Sequence, residues 1–176
     1  MTENTAYISP FVCTEDHESP DPVLCLSRAN STDPITETFT EFAMAAGEII
    51  RSPLELGQPA FFLTRQVAEL ALKALLTPPA QGPTFGHNLD KLLDHLEQNG
   101  DDLFTGGTDR EHIIAFIREL AHLDPGGDEG RYPHTRPGTP ALSAVCHTDP
   151  KLLLTQLNRL VTYTLTRLGA PPTLTV

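Results

Sequence analysis

The sequence predicts an all-α protein, an up-and-down bundle of four to five helices with a long Gly/Pro-rich loop before the last helix. Three observations predict it. From residue 34 to residue 170, apolar residues recur at steps of three and four rather than two. Asp, Asn, Pro and Gly punctuate those periods where helices start and stop. The stretch 59–96, PAFFLTRQVAELALKALLTPPAQGPTFGHNLDKLLDHL, sets two such periods on either side of a Pro/Gly break. The first carries Phe62, Leu63, Val67, Leu70, Ala71, Ala74 and Leu75 on one face. A lone helix cannot hide that face, so the rest of the chain must cover it.

Taken in order, residues 1–33 read as an irregular lead-in, with Pro10, Pro20 and Pro22 and no helical period; Val23–Leu26 is the one short run compatible with a strand. The bundle domain is expected over residues 34–170. Asp33-Pro34 offers a cap and a first-turn proline to a first helix, whose apolar face is Ile35, Phe39, Phe42, Ala46, Ile49 and Ile50; Ser52-Pro53 stops it. Pro59 suits the first turn of the second helix, which Thr77-Pro78-Pro79 ends, and Glu69 stands four residues before Lys73 in the order of a surface pair. Asn88 caps a short third helix with the stripe Leu89, Leu92, Leu93 and Leu96, closed by Asn99-Gly100. Thr108-Asp109-Arg110-Glu111 reads as a capping box for the fourth, whose core face is Ile113, Ile114, Phe116, Ile117 and Leu120. After Leu123 comes a run dense in glycine and proline, longer than a compact domain usually leaves irregular. Asp149-Pro150 starts the last helix, which Gly169 to Pro172 ends.

The bulk properties narrow the function. A chain of 176 residues suits one domain with a real core. Its net charge of −11 repels nucleic acid and anionic membranes on average, so contact with either needs a local basic site. No apolar run reaches membrane-spanning length, and MTENTAYISP lacks the regions of a signal peptide, so a cytoplasmic protein without membrane partners is expected. Cys13, Cys25 and Cys146 are odd in number and irregular in spacing, which reads as reduced thiols. The pairs Cys13/His17 and Cys146/His147 lack zinc-site spacing, and no nucleotide loop or hydrolase elbow is present; no metal or other cofactor is expected.

The order of a first amphipathic helix, Glu69 with Lys73-Ala74-Leu75-Leu76, Gly86-His87-Asn88-Leu89 and then Arg131-Tyr132-Pro133 resembles the HEPN superfamily over roughly residues 36–168. The resemblance implies a helical bundle that commonly dimerises. It also implies a prokaryotic RNA-targeting or defence system of toxin or abortive-infection type. Many members are metal-independent endoribonucleases; others are silent partners of larger complexes. Active members carry an arginine followed, after four to six residues, by a histidine. Here three residues separate Arg118 from His122 and two separate Arg131 from His134.

Arg118 and His122 fall four apart on one helix face, where a cation and a proton carrier could serve metal-free RNA cleavage; the plainer reading is helix-end solvation. Arg131, Tyr132, His134 and Arg136 are the local basic cluster that the charge argument requires. Arginine forks onto phosphate and tyrosine stacks on a base. The plainer reading pairs Arg131 with Asp124, Asp128 or Glu129 and buries Tyr132 as a plug. Gln66, Glu69 and Lys73 form a polar stripe, ordinarily a solvated face, and His87 caps or faces the second helix; Glu69, Lys73 and His87 are taken as supporting residues.

Two functions stand. One is an RNA-targeting HEPN-like protein, expected as a homodimer, with Arg118, His122 and His134 catalytic and Arg131, Tyr132 and Arg136 on the phosphate or RNA. The other is a non-catalytic interaction subunit bound to a partner protein. The arginine/histidine spacing and the net charge favour the subunit, and the basic loop favours RNA or a small acidic ligand.

Overall fold

The computed structural model describes residues 33–76, 86–127, 131–132, 138, 140–142 and 148–170. The lead-in 1–32, with the run Val23–Leu26, lies outside the described residues, as do Cys13, Cys25, Cys146, His134 and Arg136.

Local chemistry sets most of the helix ends. Asp33 accepts from the amide of Thr36 at 3.2 Å and Pro34 follows, opening α1 (Pro34–Arg51), which Ser52 closes. α2 (Gly57–Leu76) starts two residues before Pro59. Proline within a first turn forfeits no helical bond, so it does not mark the first residue. Asn88 accepts from the amide of Lys91 at 3.0 Å and opens α3 (Leu89–Gln98); Gly100, at φ +70°, turns the chain out of it. A single 3-10 turn, Asp102–Phe104, follows, with Asp101 accepting from the amide of Leu103. α4 (Thr108–Leu123) corrects one expectation: its cap is Gly107, and no side chain caps it. The helix begins one residue early, which makes Thr108 its first helical residue and leaves the expected capping box unformed. Asp149 and Pro150 open α5 (Pro150–Arg167) as the sequence implies.

α2 lies at the centre and packs on all four other helices; α1 also meets α5, α3 meets α4, and α4 meets α5. Small buried residues bring α1 and α2 together: Ala43, Ala46 and Gly47 on one, Ala60, Ala68 and Ala71 on the other. Phe39, Leu72, Ile117, Leu157 and Leu160 fill the core between them. The ten-residue α3 is too short to persist alone. Its four buried leucines, each worth about 2 kcal/mol over an exposed state, hold it in place. Five helices make up the fold among the described residues, an all-α bundle. No helix among them is long and apolar enough to cross a membrane.

Candidate functional site

A helix that touches four neighbours has little solvated surface, so its charges are drawn into the interior. α2 carries three, Arg65, Glu69 and Lys73, in one row at steps of four. The polar stripe expected on a solvated face is therefore corrected: Glu69 is 1% exposed, and Arg65 likewise. The expected Glu69–Lys73 pair forms at 2.7 Å, but with a buried acceptor instead of a surface one.

Burying an ion costs several kcal/mol unless its hydrogen bonds are met. Arg65 meets them on three elements. One Nη donates to Glu69 Oε2 at 3.0 Å on its own helix, and the other to the carbonyl of His87 at 2.5 Å before α3. Nε donates to the carbonyl of Asp124 at 3.2 Å at the end of α4, with the Asp124 carboxylate 3.4 Å away. Asp124 is itself fully buried. Gly127, at φ +76°, passes so close that a Cβ there would stand 3.0 Å from the guanidinium carbon. One side chain thus ties α2 to the entry of α3 and the exit of α4.

Glu69 is equally engaged. Its Oε1 accepts from Lys73 Nζ at 2.7 Å and lies 2.8 Å from His87 Nδ1. Burial alone would raise its carboxyl pKa, but the hydrogen bonds from Lys73, His87 and Arg65 and the charge of Lys73 outweigh it and hold it below the ordinary value. An ionised carboxylate only accepts, so Nδ1 of His87 is the donor, in a side chain 57% exposed. The structure therefore brings Glu69, Lys73 and His87 together. It adds Arg65, which the sequence reading passed over, and Asp124, read there only as a partner for Arg131. The signal for Arg65 was present: the only three charges of a twenty-residue apolar helix share one row.

The other sequence candidates lie on the surface. Arg118 and His122 are both exposed on α4 and make no hydrogen bond or ion pair among the described residues. Arg131 lies over the ring of Phe62, 5.5 Å from its centre, and the carbonyl of Tyr132 accepts from Gln58 at 3.1 Å. The glycine-rich segment thus returns to the first turns of α2. Tyr132 is exposed and plugs no core, because its backbone, rather than its ring, is what α2 holds. Asp124, a carboxylate considered for Arg131, is turned to Arg65 instead.

A second polar cluster ties the far ends of α3 and α4 to α5. The Tyr163 hydroxyl lies 2.8 Å from a carboxylate oxygen of both Asp101 and Asp102. Arg167 bridges the same two carboxylates at 3.1 and 2.9 Å, and Arg110 pairs with Asp102 and lies over the Tyr163 ring. Burial and the two carboxylates push the Tyr163 phenol up; the Asp101 carboxyl, which burial would raise, is held low by its bonds from Leu103, Tyr163 and Arg167. Among the described residues, no three His, Cys, Asp or Glu side chains gather as a metal centre requires.

Comparison with known proteins bears on the first cluster. A family model described as the HEPN domain matches residues 55–149, more than half of the chain, from the approach to α2 through α4 to the start of α5. Neither the curated proteins nor the solved structures give a match. The matched span contains the Arg65–Glu69 row of α2, Gly86-His87-Asn88-Leu89 at the entry to α3, the α4 pair and the sequence Arg131-Tyr132-Pro133. The chain belongs to the HEPN-domain family.

Proposed function

We propose that this HEPN protein acts on RNA in a prokaryotic defence system of toxin or abortive-infection type, as a homodimeric, metal-independent endoribonuclease. One observation carries the reading. In a strongly acidic chain, Arg51, Arg65, Arg110, Arg159 and Arg167 each face a carboxylate and Arg131 lies over a ring, whereas Arg118 is exposed with no such partner among the described residues. One turn on, at the same spacing of four, stands the exposed His122. A phosphodiester needs such a cation, and its cleavage without metal needs a proton carrier beside it. Arg131 and Tyr132 add a second cation and a stacking ring, with His134 and Arg136 further along the same segment. The cytoplasm is the compartment this reading requires.

The test is cleavage of single-stranded RNA by the purified chain in EDTA, with native mass measured alongside. Cleavage that falls by roughly a hundredfold or more in His122→Ala, and comparably in Arg118→Ala, is the expected result. The three-residue gap between Arg118 and His122, shorter than in active relatives, supports a second reading: a non-catalytic subunit of a larger complex. An intact wild-type chain that leaves RNA whole and purifies with a stoichiometric protein would decide for the subunit.

A further inference from the structure

We infer that His87, with Lys73 beside it, is a phosphate-contacting site at which the imidazole exchanges a proton with the substrate. The proton chemistry of this chain is then drawn from the entry to α3 as well as from α4. The inference takes its substrate from the RNA reading above.

The imidazole is positioned at two points. Its carbonyl is held by the buried Arg65 at 2.5 Å, and its Nδ1 by the buried Glu69 at 2.8 Å. A ring fixed at both backbone and side chain keeps one orientation, the condition for efficient proton transfer. The Glu69 carboxylate also sets the tautomer, so that Nδ1 carries hydrogen and Nε2 is the nitrogen left to act as base. Glu69 already receives Arg65 and Lys73, so His87 is not needed to neutralise it.

A cation stands next to the ring. Lys73 Nζ and His87 Nδ1 reach the same oxygen, Glu69 Oε1, at 2.7 and 2.8 Å, so ammonium and imidazole are neighbours. Among the described residues Arg65 and Lys73 face Glu69, and Arg65 also faces Asp124. A proton on His87 adds positive charge beside Lys73, and a phosphate and a proton favour each other there. Arg65 also bonds the carbonyls of both His87 and Asp124, which ties the entry of α3 to the end of α4. In the cleavage step His87 Nε2 takes the proton of a ribose 2′-hydroxyl. That oxygen forms the new bond to phosphorus, the bond from phosphorus to the 5′-oxygen breaks, and the leaving oxygen takes a proton from water. The products are a 2′,3′-cyclic phosphate and a 5′-hydroxyl.

The experiment has two arms on the full chain. Inorganic phosphate is titrated while the histidine ring resonances are followed by NMR, and single-stranded RNA is incubated in EDTA; both use wild type and His87→Asn. The asparagine amide keeps a donor where Nδ1 was and has nothing to titrate. The expected outcome is that phosphate moves the His87 resonances, and that H87N binds phosphate roughly tenfold or more weakly and cleaves RNA roughly a hundredfold or more slowly, with its unfolding midpoint unchanged. His87 resonances unmoved by phosphate overturn the inference whatever variant folds. RNA cleavage that H87N leaves intact overturns it while the ribonuclease reading stands. Phosphate binding at His87 in a chain that cleaves no RNA keeps the phosphate site and removes the ribonuclease.

Discussion

Two arginine-centred networks hold opposite ends of α3 and α4, and they differ in burial. At one end Arg65 lies fully inside, joining α2 to the entry of α3 and the exit of α4. At the other, Arg167 and Arg110 are partly exposed and clasp Asp101 and Asp102 around Tyr163. The chemistry is the same, guanidinium on carboxylate. The buried network cannot lose a member cheaply, because water does not replace the missing partner. The other can lose Arg167 more cheaply, because solvent already shares the charges of Arg110, Arg167 and Asp102, and the little-exposed Asp101 side chain keeps Tyr163 and the Leu103 amide. Only the buried network also presents a fixed imidazole to solvent. Rigidity on the inside and access on the outside are what a chemical site needs, and the exposed clasp has only the access.

The sharpest break of this comparison is Arg65→Met against Arg167→Met. Loss of Arg65 takes a buried guanidinium from two buried carboxylates, Glu69 and Asp124, and should lower the unfolding free energy in urea by about 3–5 kcal/mol. Loss of Arg167, 42% exposed, should lower it by about 1 kcal/mol or less. Equal losses would show that burial does not distinguish the two. Next is pH. Glu69 titrates below its unfolded value of 4.5 in the folded chain, so its contribution is complete above that value and disappears as pH falls through the folded one. Glu69→Gln should therefore be less stable at neutral pH by about 2–3 kcal/mol and show a flatter acid limb in stability against pH. An acid limb as steep as that of wild type would assign it to other carboxyls.

Gly127→Ala tests the close approach to Arg65. A left-handed φ and a Cβ against the guanidinium should cost about 1–2 kcal/mol, read as a lower unfolding midpoint. At the exposed end, Tyr163→Phe should cost about 1 kcal/mol near neutrality. The Tyr163 phenol has a raised pKa in the folded state, so its contribution is whole below the unfolded value of 10.0 and declines as pH rises above it. The phenylalanine variant should flatten the alkaline limb of stability and leave the Glu69 acid limb untouched. A change in the Glu69 limb instead would mean that the two networks are coupled through α3 and α4.

The sequence by itself determined the helices, because a helix is a local object. Asp33, Asn88 and Asp149 cap within three residues of themselves, and Leu89, Leu92, Leu93 and Leu96 declare a buried face by spacing alone. Where one residue of register mattered, at Gly107, local signals fell short, since Thr108 does not fix the first helical residue, whereas Pro59 lies in the first turn of α2 as its chemistry implies. The row Arg65–Glu69–Lys73 was legible as a row, and His87 as a neighbour of α3. Their burial was not. It depends on α2 meeting four other helices, and on Arg65 reaching His87 and Asp124 across 22 and 59 residues of chain. Periodicity records which residues share a face of a helix; only packing decides whether that face meets water or a buried carboxylate.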